Sequence, residues 1–210
     1  LKFTVTGRQT HASRPDLGLN AMRVGSELIT FLQDFLHRKY NAKDTLFNPD
    51  RSTFEPTKRL QTVGNVNTIP GEDIFYFDCR ILPAYDVDAV RNDITAVLDI
   101  FEQKTGTKIK METVQLTRSG PPSDLEGEGM KALRWAVQKV RGVEPRPVGI
   151  GGGTCANFFR LAGMNAYVWQ TIDELAHTPN EYCVVDNLVD DAKVFAVVLA
   201  GLCCGSQFQA

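Results

Sequence analysis

The segment of residues 173–182 contains the first candidate for chemistry, His177. It follows an apolar, strand-like run at 166–169 and precedes an amphipathic helical pattern at 186–202. A neutral imidazole in a polar loop after a buried strand can bind zinc, and Asp173 or Glu174 could orient its ring or add a ligand. One histidine cannot hold a metal, and the rest of the sequence shows no obvious partner ligands. An ordinary surface-loop histidine is the alternative interpretation.

His11 and Arg80 are further side chains that could take part in chemistry. His11 lies in a polar loop spanning residues 7–18, where a solvated histidine is the alternative. Around Arg80 the residues alternate, so that apolar side chains share one strand face while Asp78 and Arg80 share the other. A guanidinium there can bind a carboxylate through two hydrogen bonds. A surface ion pair between Asp78 and Arg80 is the competing interpretation.

A glycine-rich turn and one asparagine complete the candidates. Residues 149–154 run Gly-Ile-Gly-Gly-Gly-Thr between a predicted strand and a predicted helix, where backbone amides can bind an anion. The turn does not match a dinucleotide fingerprint, because Thr154 replaces the third glycine, and it lacks the lysine of a Walker loop. We therefore favour binding of a carboxylate by this turn, with a plain tight turn as the alternative. Asn67 begins an Asn-Thr-Ile-Pro-Gly turn, where a purely structural role is also plausible.

The elements that must position these residues begin with an alternation of strands and helices. We predict strands at 1–6, 53–67, 73–82 and 108–116, and helices that follow Asn20 and Asp86 as N-caps, the second ending at Gly106. This βαββαβ order is typical of the ferredoxin-like split unit. The sequence therefore predicts an α+β domain over residues 1–117.

A punctuated linker, Arg-Ser-Gly-Pro-Pro at 118–122, marks the predicted domain boundary. After it we predict a capping box at Ser123 and Glu126, a helix, strands at 147–150 and 165–170, a helix at 155–162 between them, and the last helix. This pattern indicates a layered α/β domain over residues 118–210. A sheet of about two strands is too small to be complete, and the chain opens within a strand pattern. We therefore expect that an N-terminal portion of the protein is absent from this chain.

Charge and composition exclude several classes of partner. With 23 Lys and Arg against 25 Asp and Glu, the net charge of −2 gives no electrostatic reason to expect nucleic acid or an anionic membrane. No apolar run approaches the roughly 20 residues of a membrane helix. The 5 cysteines fit no disulfide framework or zinc motif, so we predict free thiols in a cytoplasmic protein.

Taken in order, these motifs resemble those of the co-catalytic zinc amidohydrolases. That family includes succinyl-diaminopimelate desuccinylase, acetylornithine deacetylase, aminoacylases, carnosinases and glutamate carboxypeptidases. The resemblance covers essentially the whole chain. It is strongest to the desuccinylase and deacetylase branch. It is carried by His11 in its loop, Asn67-Thr68-Ile69-Pro70-Gly71, Asp78-x-Arg80, Gly151-Gly152-Gly153-Thr154 and His177-x-Pro179-Asn180-Glu181.

The resemblance implies a two-zinc catalytic domain interrupted by a ferredoxin-like lid that also forms a homodimer. On this comparison the lid supplies His11, which reaches the partner subunit's active site and stabilises the tetrahedral oxyanion. Asn67 and Arg80 bind the substrate, with Arg80 on its carboxylate. In the catalytic part, Gly153 and Thr154 hold the carboxylate end of the substrate, and His177 is the last zinc ligand.

This chain departs from the family pattern, because the segment with the first zinc histidine, the bridging aspartate, the general-base glutamate and the other acidic ligand is absent. We expect the chain alone to be inactive and at best a weak zinc binder. The intact protein is expected to bind two zinc ions per subunit, with cobalt or manganese able to replace them, and to hydrolyse an amide bond of an N-acyl amino acid or a short peptide. The alternatives are a dipeptidase or carboxypeptidase of the same family, a non-catalytic dimerisation or ligand-binding module, and a nucleotide-binding protein that uses the glycine turn.

Overall fold

The computed structural model describes residues 1–173 and 175–203. Its strands and helices are, in chain order, β1 (Lys2–Thr6), β2 (Thr10–His11), α1 (Ala21–Lys39), β3 (Phe47–Asn48), β4 (Thr53–Leu60), β5 (Thr68–Ile69), β6 (Glu72–Arg80), α2 (Val87–Thr105), β7 (Lys108–Glu112), α3 (Glu128–Arg141), β8 (Gly149–Ile150), α4 (Ala156–Leu161) and α5 (Val185–Cys203). None of the helices in this described part of the chain is long and apolar enough to cross a bilayer.

Helices α1 and α2 begin at the residues that the sequence marks as N-caps. The side chain of Asn20 accepts a hydrogen bond from the backbone N–H of Arg23, and Asp86 caps α2 in the same way. Helix α2 ends at Gly106, whose φ of 74° lies in the left-handed region that favours glycine. These groups satisfy backbone atoms that have no partner within the helix. The predicted caps and the predicted end of α2 are confirmed.

The main sheet has four antiparallel strands in the order β4-β6-β1-β7. With α1 and α2 between the strands in sequence, these elements give the order βαββαβ, and the ferredoxin-like prediction is confirmed. The register places Phe3 of β1 directly opposite Phe75 of β6, and their rings stack with centroids 5.0 Å apart. The alternation predicted for β6 is also observed, because Phe75 and Phe77 are buried while Arg80 is exposed.

The core of this part of the chain lies between the sheet and the two long helices. Burial of each large apolar side chain contributes about 2 kcal/mol, so this layer is the main source of its stability. The buried residues come from both helices and from the inner face of the sheet: Phe3, Val5, Leu28, Leu32, Leu36, Phe54, Phe75, Phe77, Val90, Ile94 and Leu98.

By their internal contacts the residues separate into two compact units. The first contains residues 1–118 together with 149–151, and the second contains residues 119–148 together with 152–210. In the second unit, α3 packs on α5 through the buried Ala136, Val137 and Val194. Arg141 near the end of α3 also donates hydrogen bonds to Asn187 and Asp190 of α5.

Three predictions for the region after residue 118 need correction. Residues 165–170 do not form a strand, because the described part of the second unit offers no neighbouring strand to pair with. Instead, the backbone N–H and carbonyl of Ala166 both pair with the hydroxyl of Ser123, and Arg160 also donates to that carbonyl. Ser123 therefore does not cap α3, which begins at Glu128 without a side-chain cap. Of the strand predicted at 147–150, only β8 forms, and it pairs in parallel with β3.

Candidate functional site

Two loops that are far apart in sequence lie side by side in the first unit. Strand β2 pairs antiparallel with β5, which places His11 opposite Thr68. The backbone N–H of Ala12 donates to the carbonyl of Asn67 at 2.8 Å, and Gly7 donates to Gly71 at 2.7 Å. A side chain at Gly71 would come within 2.8 Å of the backbone nitrogen of Gln9, so this close approach requires glycine. The turns around His11 and Asn67 therefore form one structure.

The side chains of His11 and Asn67 meet on the surface of these paired loops. Nδ2 of Asn67 lies 3.4 Å from Nε2 of His11, and both residues are exposed. Nδ1 of His11 faces Ser13, with the hydroxyl Oγ at 2.8 Å and the backbone nitrogen at 3.2 Å. Our sequence analysis did not single out Ser13. The available signal was a hydroxyl residue two positions after a histidine in a turn, where such side chains form local hydrogen bonds.

Arg80 lies at the end of β6 and contacts two partners. Its Nε and Nη2 donate to the two carboxylate oxygens of Asp78, and its Nη1 donates to the carbonyl of Gly151 at 2.9 Å. The Asp78 carboxylate raises the pKa of Arg80 above its ordinary value. A guanidinium has five N–H groups, so two remain for another ligand after these contacts. The surface pair with Asp78 is thus present, and it leaves room for carboxylate binding.

Gly153 and Thr154 lie in the second unit, just before the short helix α4. The carbonyl of Thr154 accepts a hydrogen bond from the backbone N–H of Asn157 at 3.1 Å, which closes the turn. Gly153 is exposed, and no heavy atom of the described protein lies within 4 Å of the position that a Cβ there would take. Packing within the described protein therefore does not explain this glycine.

His177 lies in an exposed loop of the second unit. Its backbone φ is 63°, a conformation that residues other than glycine seldom adopt. Its backbone N–H donates to the carboxylate of Glu181 at 3.3 Å. The carboxylate of Asp173 accepts a hydrogen bond from the Tyr182 hydroxyl at 2.8 Å. Glu174, the other candidate neighbour of His177, lies outside the described residues. Asp173 and Glu181 thus both accept hydrogen bonds from other residues of this loop.

The described residues do not by themselves provide a metal centre. Within residues 1–173 and 175–203, no group of three or more His, Cys, Asp or Glu side chains could hold a metal ion. The imidazole of His177 is chemically suited to zinc, but these residues supply no complete ligand set around it. The described residues therefore bring together fewer than three such ligands at any one place.

A further anchor joins the segment before the His177 loop to the last helix. The carboxylate of Asp191 in α5 accepts hydrogen bonds from Nε1 of Trp169 and from both the backbone nitrogen and the hydroxyl of Thr171. Our sequence analysis did not identify Asp191, because an acidic residue within a helical pattern gives no local sign of a distant partner. Together with Ser123, it provides hydrogen bonds to the backbone that a neighbouring strand would otherwise supply.

Comparison with known proteins gives consistent results for both units. Residues 1–105 match the family described as the peptidase dimerisation domain. A metallohydrolase of Methanococcus maripaludis is 37% identical over 95% of this chain and 51% of its own length. Acetylornithine deacetylase of Arabidopsis thaliana is 24% identical over 96% of this chain and 51% of its own length. The chain thus spans about half the length of the curated relatives that it matches.

A solved structure supports the same fold. The aminopeptidase PepT from Bacillus cereus superposes with a TM-score of 0.65 at 16% identity, covering 96% of this chain and 51% of that protein. At this low identity the likeness concerns the fold alone. The superposition nevertheless includes residues of both units.

Proposed function

This chain belongs to the family of amidohydrolases and peptidases that carry the peptidase dimerisation domain, and we propose that it is part of a metal-dependent hydrolase. In this proposal residues 1–117 are the lid and residues 118–210 are the C-terminal portion of the catalytic domain. The reaction is hydrolysis of the amide bond of an N-acyl amino acid. The observation that carries the proposal is the exposed pair of His11 and Asn67, whose side chains approach to 3.4 Å on paired loops of the lid.

The lid residues have distinct roles in the proposed reaction. His11 donates a hydrogen bond to the carbonyl oxygen that gains negative charge when the amide is attacked. Asn67, beside it, binds the substrate near the same oxygen. Arg80 uses the two N–H groups that Asp78 and Gly151 do not occupy to bind the free carboxylate of the substrate. The Asp78 pair holds the guanidinium in place for this contact.

Residues of the second unit have two proposed roles, one at the carboxylate end of the substrate and one at the metal. Gly153 and Thr154 would bind the carboxylate end of the substrate, and His177 would be one zinc ligand. When bound, the metal supplies an activated water as the nucleophile. The remaining ligands and the general base would come from residues beyond this chain. Zinc is the proposed metal, with cobalt or manganese as substitutes.

We also propose that the protein is a cytoplasmic homodimer formed through the lid. The strands β4 and β7 are the two edges of the main sheet, and an edge strand can pair with its twin across a two-fold axis. The free thiols of Cys79, Cys155 and Cys183 are compatible with a reducing compartment. Light scattering on the purified chain is the test of the dimer, and a mass of one chain at all concentrations would contradict it.

The first experiment compares metal content and turnover in two proteins, this 210-residue chain and the full-length product of its gene. Mass spectrometry should find about two metal ions per full-length chain and almost none in the shorter one. The full-length protein should hydrolyse N-acetyl or N-succinyl amino acids in a panel that also contains dipeptides. Preference for the dipeptides would favour the peptidase alternative.

A matched pair of variants tests the assignment of the ligand. His177→Ala in the full-length protein should lower metal content and turnover, whereas His37→Ala should change neither, because the contacts of His37 are with the carbonyl of Gln33 in α1 and the ring of Phe54 in β4. Absence of both metal and amide hydrolysis in the full-length protein would reject the hydrolase and favour a non-catalytic binding module.

A further inference from the structure

We propose that Ser13 is a positioning residue that selects one tautomer of the His11 ring, with the lone pair on Nδ1 and the N–H on Nε2. Two groups of Ser13 contact Nδ1: the hydroxyl oxygen at 2.8 Å and the backbone nitrogen at 3.2 Å. The inference rests on the proposed function only for the identity of the oxygen to which Nε2–H donates. The state of the ring itself follows from the contacts in the loop.

The backbone N–H of Ser13 is the donor in this cluster whose direction is fixed. It can only donate, so the nitrogen that faces it must offer a lone pair. The hydroxyl of Ser13 can rotate, and the amide of Asn67 can turn by 180° with little change in shape, so both can adapt to either tautomer. A neutral ring that accepts at Nδ1 carries its proton on Nε2.

The turn that follows His11 places Ser13 beside Nδ1 of the ring. The carbonyl of His11 accepts a hydrogen bond from the backbone N–H of Arg14 at 2.9 Å, which closes a turn over residues 11–14. The N–H of Ala12 donates to the carbonyl of Asn67, so the turn is also fixed to the neighbouring loop. The position of the Ser13 backbone N–H therefore follows from main-chain hydrogen bonds and not from a side-chain rotamer.

The tautomer has a consequence for Asn67. With a proton on Nε2, the amide of Asn67 presents Oδ1 to the ring and turns Nδ2 outward. An oxygen of a ligand on this exposed surface can replace Oδ1 as the acceptor of Nε2–H, with the Nδ2–H group of Asn67 as a second donor beside it. Two donors placed together suit an oxygen that gains negative charge during a reaction. With the opposite tautomer, Nε2 would be an acceptor and would repel such an oxygen.

Nuclear magnetic resonance of the histidine rings in the 210-residue chain tests the proposal directly. Long-range proton–nitrogen spectra, recorded where the rings are neutral, distinguish the two tautomers. The chain has 3 histidines, and His11→Gln identifies the signals of His11. His37 is an internal reference of the opposite kind, because its Nδ1 faces the carbonyl of Gln33 at 2.8 Å and must carry the proton.

We expect His11 to show the Nε2–H pattern, with the Nδ1 resonance displaced from that of a free acceptor nitrogen. Ser13→Ala removes the hydroxyl but keeps the backbone N–H, so the Nδ1 resonance should move part of the way towards the free position while the Nε2–H pattern is retained, and Ser13→Thr should restore the resonance. An Nδ1–H pattern for His11 in either chain, or an Nδ1 resonance at the free position in the unsubstituted chain, would overturn the proposal. These spectra do not depend on turnover, so an inactive full-length protein would reject the hydrolase and leave this result intact.

Discussion

The guanidinium of Arg59 binds both carboxylate oxygens of Asp73, at 2.8 and 3.0 Å, and the Asp73 side chain is only 3% exposed. The same guanidinium donates to the carbonyl of Met22 and the hydroxyl of Ser26 in α1. This one contact therefore connects β4, β6 and α1. Since Asp73 follows the turn that carries Asn67 by a few residues, the pair also supports the base of the candidate site.

Arg59→Met should destabilise the protein by about 3 kcal/mol, because it leaves the carboxylate of Asp73 buried without its partner. Urea unfolding is the measurement, read as a lower midpoint at an unchanged slope. Arg14→Met is the matched control, since its pair with Asp16 is well exposed on both sides, and it should lower the midpoint far less. Equal losses for the two variants would show that burial of Asp73 has no energetic consequence.

Gly25→Ala should also destabilise the protein, although alanine is favoured over glycine within a helix by about 1 kcal/mol. A Cβ at position 25 would lie 2.0 Å from Oδ2 of Asp73, so the ion pair would have to move. We expect a net loss of about 2 kcal/mol, as in other overpacked cores. Gly64→Ala is the control, because no heavy atom of the described residues, apart from Gly64 and its two chain neighbours, lies within 4 Å of its Cβ position. An increase in the melting temperature of Gly25→Ala would refute this account.

Arg80→Lys should weaken recognition of the substrate carboxylate, because lysine cannot provide two parallel hydrogen bonds. In the full-length protein we expect kcat/KM for an N-acyl amino acid to fall roughly 30-fold, which corresponds to about 2 kcal/mol for a hydrogen bond to a charged group. The methyl ester of the same substrate should be affected little. Arg14→Lys serves as the control for loss of an exposed arginine. A similar decrease for the acid and the ester would argue against a carboxylate contact.

Cys79 should be the least reactive of the described cysteines. Burial raises the pKa of its thiol to about 11, whereas Cys155 and Cys183 are exposed. Since only the thiolate reacts, alkylation of Cys79 near pH 8 should be roughly 100-fold slower, and mass spectrometry of the labelled peptides can measure this. All three should react alike in denaturant. Labelling of Cys79 at the rate of Cys155 in the folded protein would contradict the prediction.

The same burial gives a pH dependence of stability with a definite sign. The folded state keeps the Cys79 thiol neutral at a pH where an unfolded thiol ionises. Its contribution to stability is therefore complete below the ordinary thiol pKa and decreases as the pH rises towards about 11. Cys79→Ser should reduce this alkaline loss in urea titrations, whereas Cys155→Ser should not.

The helices and strands whose sequence signals are local could be predicted from the sequence alone. The caps at Asn20 and Asp86, the glycine that ends α2 and the alternation along β6 each depend on a few neighbouring residues. Together with element order, these were enough to predict the ferredoxin-like unit. The sequence also indicated His11 and Asn67 individually.

Which of these residues contact one another depends on the fold of the whole chain. His11 and Asn67 are 56 positions apart, and the pairing of β2 with β5 brings them together. No local pattern indicates that Gly25 makes room for a buried carboxylate. The strand predicted at 165–170 is wrong for the same physical reason: an apolar run becomes a strand only beside a neighbour, and here side chains of Ser123 and Asp191 bind the backbone instead. Hydrogen-bond partners that are distant in sequence are chosen by packing of the whole chain, which local periodicity does not contain.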